Sequence, residues 1–150
     1  MSLLLDIERD FKDALKKSDK VKLSVLRMAK AAMKNRQIEK GEDLSEEDVL
    51  SVLSTMAKQR RESIELFSRG GREELASQEK QELEIIFTYM PAQMSTDEID
   101  RIIGDAIRET SAQGLQDLGK VMRVVMPRTK GAADGKTVNQ CAKELLERSS

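Results

Sequence analysis

The sequence predicts an all-α protein, with an N-terminal four-helix region followed by a compact three-helix C-terminal subdomain. Three observations carry that prediction. Apolar residues recur at spacings of three and four along nearly the whole chain, which gathers them on one face of each helix. Hydrophobic residues make up 39% of the 150 but aromatics only 3%, so aliphatics and Met must build the core, which suits helices better than sheets. Capping residues, Gly and Pro then punctuate the chain at helix-length intervals.

The elements follow in order. Leu4, Ile7, Phe11, Ala14 and Leu15 set the apolar face of the first helix. Asp19 is the N-cap of the second, which runs to about Glu39 before Gly41. Its apolar face gathers Val25, Leu26, Ala29, Ala32 and Met33. Lys20, Arg27, Lys30 and Lys34 fall opposite, within about 80° of one another at 100° per residue, and form a second basic stripe. Such a stripe is read either as a solvated face or as a phosphate-contacting surface.

Ser45 with Asp48 spells a capping box, and the third helix runs from there to about Arg69. Its core stripe is Leu53, Met56, Ala57, Ile64 and Phe67, with Arg60 inside it. The fourth helix, about Arg72 to Tyr89, turns Leu75, Leu83, Ile86 and Met90 inward, with Glu79 and Glu82 near the same stripe. An unpaired buried charge is costly, so Arg60 is expected either to pair with Glu79 or Glu82 across the hairpin or to snorkel its head to water.

Met90-Pro91 marks a boundary, giving an N-terminal helical domain over 1–90 and a C-terminal three-helix domain over 95–150. Ser95 with Glu98 forms a capping box for helix five, which buries Ile99, Ile102, Ile103, Ala106 and Ile107 and ends near Gly114. Asp117 caps helix six, which turns Leu118, Val121, Met122 and Val125 inward and closes at Pro127. Asp134 caps helix seven, with Val138, Cys141, Ala142, Leu145 and Leu146 inward.

Composition removes several function classes. There is no His, which takes away the usual general base near neutral pH and the commonest metal ligand. A single Cys, at a core position, permits no intramolecular disulfide and no Cys/His zinc site of standard spacing. No Walker A or G-x-G-x-x-G sequence occurs. No catalytic residue, metal or cofactor is therefore expected. No 18-residue apolar run or signal-peptide pattern appears, so a soluble cytoplasmic protein without a membrane partner is expected.

One segment stands apart. Lys+Arg 26 against Asp+Glu 27 gives the chain a formal charge of −1. From Gly119 to Asn139, however, Lys120, Arg123, Arg128, Lys130 and Lys136 face only Asp134, a local excess of four positive charges. Gly119, Gly131 and Gly135 interrupt it. Basic side chains beside Gly turns and a helix start are suited to binding anions. The same features also serve as an ordinary C-cap, loop and N-cap. With one Tyr and three Phe, stacking platforms are scarce, so RNA contact here is to phosphate, sugar and shape.

The same segment, with Gly119-Lys120-Val121-Met122, Met126-Pro127, Lys130-Gly131, Ala133-Asp134-Gly135 and Val138-Asn139 in this order, resembles the end of GatB/YqeY-family proteins. Gln59-Arg60-Arg61-Glu62-Ser63, Gly71-Arg72 and Tyr89-Met90-Pro91 resemble the upstream part of stand-alone YqeY-like proteins. Two positions depart: Arg123 stands where a small residue is usual in that family, and Arg128-Thr129 where Lys and an aliphatic residue are common. The resemblance implies kinship with the C-terminal tail of the glutamine-dependent aminoacyl-tRNA amidotransferase B subunit, which helps hold tRNA. It therefore implies a module that binds tRNA or structured RNA. By ancestry it also implies carbon–nitrogen ligation with glutamine as amido donor, although the amidase signature is absent. Three readings stand: an RNA-binding module; an accessory subunit or enzyme of tRNA-dependent amidation, with an amidotransferase or other translation protein as partner; and a protein-interaction module using the Met122/Met126 face or the surface of the four-helix region.

Overall fold

A computed structural model describes residues 2–149. Among them are seven α-helices, one short 3₁₀ turn and no strand. The chain divides into two compact units, Met1–Pro91 and Ala92–Ser150.

The first unit comprises α1 (Leu3–Lys17), α2 (Lys20–Lys40), α3 (Glu46–Arg69) and α4 (Glu73–Phe87). Each turn has a local cause. Ser18 adopts the left-handed conformation that ends α1, and the Asp19 carboxylate accepts from the Lys22 N–H at 3.2 Å to start α2. Gly41 ends α2 with φ +77°, where a side chain would be strained. The Ser45–Asp48 box is reciprocal, with backbone-to-side-chain bonds of 2.9 and 3.1 Å. Lys40 also meets the Asp48 carboxylate, and this contact, with the Ser45 N–H, holds that carboxyl well below its usual range. The Leu3 N–H reaches the Glu46 carboxylate (3.0 Å), tying the starts of α1 and α3 together. Ile7, Leu26, Leu53 and Ile86, one from each helix, meet in the core.

Two residues expected inward are exposed. Leu15 is 49% exposed, because it sits at the edge of the α1 stripe one turn before Ser18. Leu75 is 37% exposed, and Ala76 is fully buried in its place. Leu75 occupies the first turn of α4 near the hairpin tip, and Leu66, in the last turn of α3, is more exposed still. Among the described residues of this unit, no third helix covers the tip of the α3–α4 hairpin.

The second unit comprises α5 (Thr96–Thr110), a 3₁₀ turn (Leu115–Asp117), α6 (Leu118–Thr129) and α7 (Gly135–Ser149). Ile103, Val121, Val125, Val138, Ala142 and Leu146 form its dry core. Ser95 caps α5 by accepting from the Glu98 N–H, but the box is half made. The Glu98 carboxylate accepts from the Ser95 hydroxyl instead of from its backbone N–H. Three boundaries differ from expectation. α5 stops at Ser111, a left-handed residue (φ 55°), three positions before Gly114. Asp117 precedes α6 without capping it, because its carboxylate is already taken by the Gln113 N–H (2.9 Å) as part of the 3₁₀ turn. Pro127 lies inside α6, which continues to Thr129. The bond that proline removes would have gone to the carbonyl of Arg123, an exposed position where water can replace it. Beyond it, the buried Thr129 hydroxyl donates to the Val125 carbonyl at 3.2 Å.

Among the described residues, no helix is long and apolar enough to cross a membrane, and no cluster of three His, Cys, Asp or Glu could hold a metal ion.

Candidate nucleic-acid interface

The candidate surface is built on α6 and the turn that leads into α7. Val121, Val125 and Thr129 recur every fourth residue and are buried, so the opposite face carries Lys120, Arg123 and Pro127, all exposed. Lys120 and Arg123 thus share one outward stripe. Neither they nor Lys136 makes an ion pair among the described residues. Arg128 differs: its guanidinium donates to Glu109 at 2.8 Å, so its charge is already matched from α5. Lys130 is exposed at the C-cap of α6 in an extended conformation.

The turn after Lys130 is held in place from the opposite end of the unit. Gly131 takes φ +79° and is buried, and its carbonyl accepts from Gln93 Nε2 at 2.9 Å. The Ala132 carbonyl accepts from the Met94 N–H at 2.8 Å. Ala132 and Ala133 both donate back to the Thr129 carbonyl at 3.0 Å. Gly131 therefore serves the turn's geometry and does not line an open surface. Gly119 does face open space, whereas a Cβ on Gly135 would touch Met126 Cε at 3.6 Å. Met126 lies over the start of α7 and is 40% exposed, while Met122 packs against the core.

Asp134 immediately precedes α7, and its carbonyl accepts from the Val138 N–H. A carboxylate at that position complements the positive end of the helix and opposes an incoming anion. The positive charge of this surface therefore resides on the Lys and Arg side chains and not on the helix start. Cys141 is buried, and burial pushes its thiol up, with Asp100 and Glu144 adding to the effect, which disfavours the reactive thiolate.

The other sequence-derived groups lie in the first unit. Lys20, Arg27 and Lys34 are exposed along α2, and Lys30 is half-buried. Arg60 is 6% exposed, and its Nε lies 3.5 Å from Glu79 and 3.3 Å from Glu82. The Nε–H makes no well-directed hydrogen bond, however, and Nη2 meets the Met28 sulfur at 3.3 Å. The pairing is thus one of proximity. Burial pushes the Glu82 carboxyl up, the neighbouring Glu79 charge adds to this, and Arg60 opposes it.

One polar contact had no sequence signal beyond the single Tyr. Buried Tyr89 donates to Asp10 Oδ2 at 2.6 Å, which holds the Asp10 carboxyl below its usual range. Burial, and then that carboxylate, push the phenol up. The partners are 79 positions apart, so only the fold brings them together.

Comparison with known proteins places the chain. Residues 5–146 match the family model described as Yqey-like protein. The chain is 32% identical over 88 residues to the protein named "Altered inheritance of mitochondria protein 41, mitochondrial" of Vanderwaltozyma polyspora, covering 58% of this chain and 48% of that one. The protein of the same name from Eremothecium gossypii is 32% identical over 90 residues, covering 59% and 49%. That from Saccharomyces cerevisiae strain YJM789 is 30% identical over 95 residues, covering 63% and 51%. The matched stretches span about half the length of these curated relatives. With its family model matched from the first helix to the last, the chain belongs to the YqeY-like family.

Proposed function

We propose that this protein binds tRNA or another structured RNA through the basic face of α6 and the start of α7. One observation carries the reading. Lys120, Arg123 and Lys136 are exposed and unmatched in a segment whose only acidic residue is Asp134. Such charges act on the phosphate backbone and not on base identity. The resemblance to the amidotransferase tail supports tRNA as the partner and a tail-type role in place of catalysis. The cytoplasmic location expected from the sequence stays part of this reading, while the yeast relatives are mitochondrial by name.

The test is binding of purified tRNA across a salt series. Neutralising two phosphate contacts with Lys120→Ala and Arg123→Ala should flatten the slope of log K against log salt by about two and weaken binding roughly 10-fold near 0.1 M salt. A folded double variant with wild-type slope and affinity would remove this surface from consideration.

A further inference from the structure

Helix α2 carries seven basic residues and one acidic residue, an excess of six positive charges on a chain of formal charge −1. Its basic residues divide by position. Arg36 reaches Glu39 (4.0 Å) and Lys40 is held by Asp48 and Glu42, while Lys22, off the stripe, makes no ion pair among the described residues. Lys20, Arg27, Lys30 and Lys34 make no ion pair among the described residues. The ion pairs thus fall in the last turns of α2, and the stripe from Lys20 to Lys34 is left unmatched. At a rise of about 1.5 Å per residue, the stripe runs about 21 Å along the helix.

A second observation comes from α1. Lys30 Nζ lies 4.3 Å from the centroid of the Phe11 ring, and Arg27 Cζ lies 5.9 Å from it. A ring face attracts cations without cancelling their charge, so Phe11 holds two like charges near each other on a folded surface. Glu8 is the one acidic side chain lining the shallow groove beside Lys30 and Lys34.

We propose that Lys20, Arg27, Lys30 and Lys34 form a second surface for the sugar–phosphate backbone of folded RNA, built on the first unit. This goes beyond the α6–α7 reading and stands on different residues. A straight row of unmatched cations suits a row of phosphates. The nearby aromatic ring is covered by its cations and offers no platform for an unstacked base, which favours backbone contact with helical RNA. An anionic lipid surface is the competing occupant, because exposed Ile38 lies on the same face one turn beyond Lys34.

The experiment uses the full chain with the triple substitution Lys20→Gln, Arg27→Gln and Lys34→Gln, its helicity checked by circular dichroism. Binding of purified tRNA is followed from about 50 to 300 mM salt. The slope of log K against log salt is expected to fall by about two to three, and affinity at low salt by 10-fold or more. Arg36→Gln, off the stripe and already paired, should change neither, and Lys20→Arg with Lys34→Arg should keep both. The Lys120/Arg123 variant measured alongside reads the α6–α7 surface, so either surface can fail alone. A folded triple variant with wild-type affinity and slope overturns the proposal. So does loss of binding to phosphatidylserine vesicles with tRNA binding unchanged, which would give the stripe to lipid.

Discussion

In the unit formed by α1 to α4, Arg60, Glu82 and Tyr89 are buried, and each meets a charged partner from another helix or turn. In the unit formed by α5 to α7, the interior is aliphatic apart from Thr129 and Cys141, and Thr129 satisfies itself on its own helix. Both are small helical units with Ile and Leu at their centres. The difference lies in where charge meets charge between helices: at the exposed Arg128–Glu109 pair in the second unit, and inside the packed interior in the first. Buried charge depends on protonation and contact area does not, so the two units should respond differently to pH and to substitution.

The largest effects should come from the two interiors. Ile103→Ala in the second unit should cost about 4 kcal/mol, because a fully buried side chain leaves a cavity among rigid neighbours. Urea unfolding should give the same loss at pH 7 and pH 5. Arg60→Leu in the first unit should cost about 3 kcal/mol at pH 7, since it strands Glu79 and Glu82. That cost should shrink in acid. The Glu82 carboxyl already sits above its usual value when folded, so it takes up a proton early as pH falls, and the uncompensated charge disappears. Hydrogen exchange of first-unit amides at the two pH values reads this, and a pH-independent loss would remove charge from the explanation.

Tyr89→Phe should be smaller, about 1.5 kcal/mol at pH 7, for a hydroxyl donated to a carboxylate. Its sign with pH is opposite in origin. The folded Asp10 carboxyl is held below its unfolded value, so its stabilisation is complete above the unfolded value and is lost as pH falls through the folded one. Wild type and Tyr89→Phe should therefore converge in acid unfolding. Smallest are the caps. Ser45→Ala and Ser95→Ala each remove one hydroxyl oxygen that accepts from a backbone N–H, and each should cost about 1 kcal/mol by thermal unfolding. A larger loss at Ser45 would show that the returning bond from its backbone N–H to Asp48 depends on the hydroxyl.

The candidate RNA surface divides in the same way. The outward positions of Lys120 and Arg123 follow from helical spacing and were legible in the sequence, because their placement depends only on which residues of α6 are apolar. The matching of Arg128 by Glu109 was not legible, since those residues lie on different helices and nothing local links them. Nor was the burial of Gly131, which depends on Gln93 and Met94 reaching back across the unit.

The sequence by itself determined the all-α class, most caps and the inward face of each helix, because a 3.6-residue period and a capping oxygen are local physics. It also placed Arg60 on the same hairpin as two glutamates. Only the tertiary structure decided that α6 runs through Pro127, that Leu75 gives way to Ala76, and which cations are already matched. Each of those turns on what covers or meets a residue from elsewhere in the chain, and a one-dimensional pattern does not carry that information.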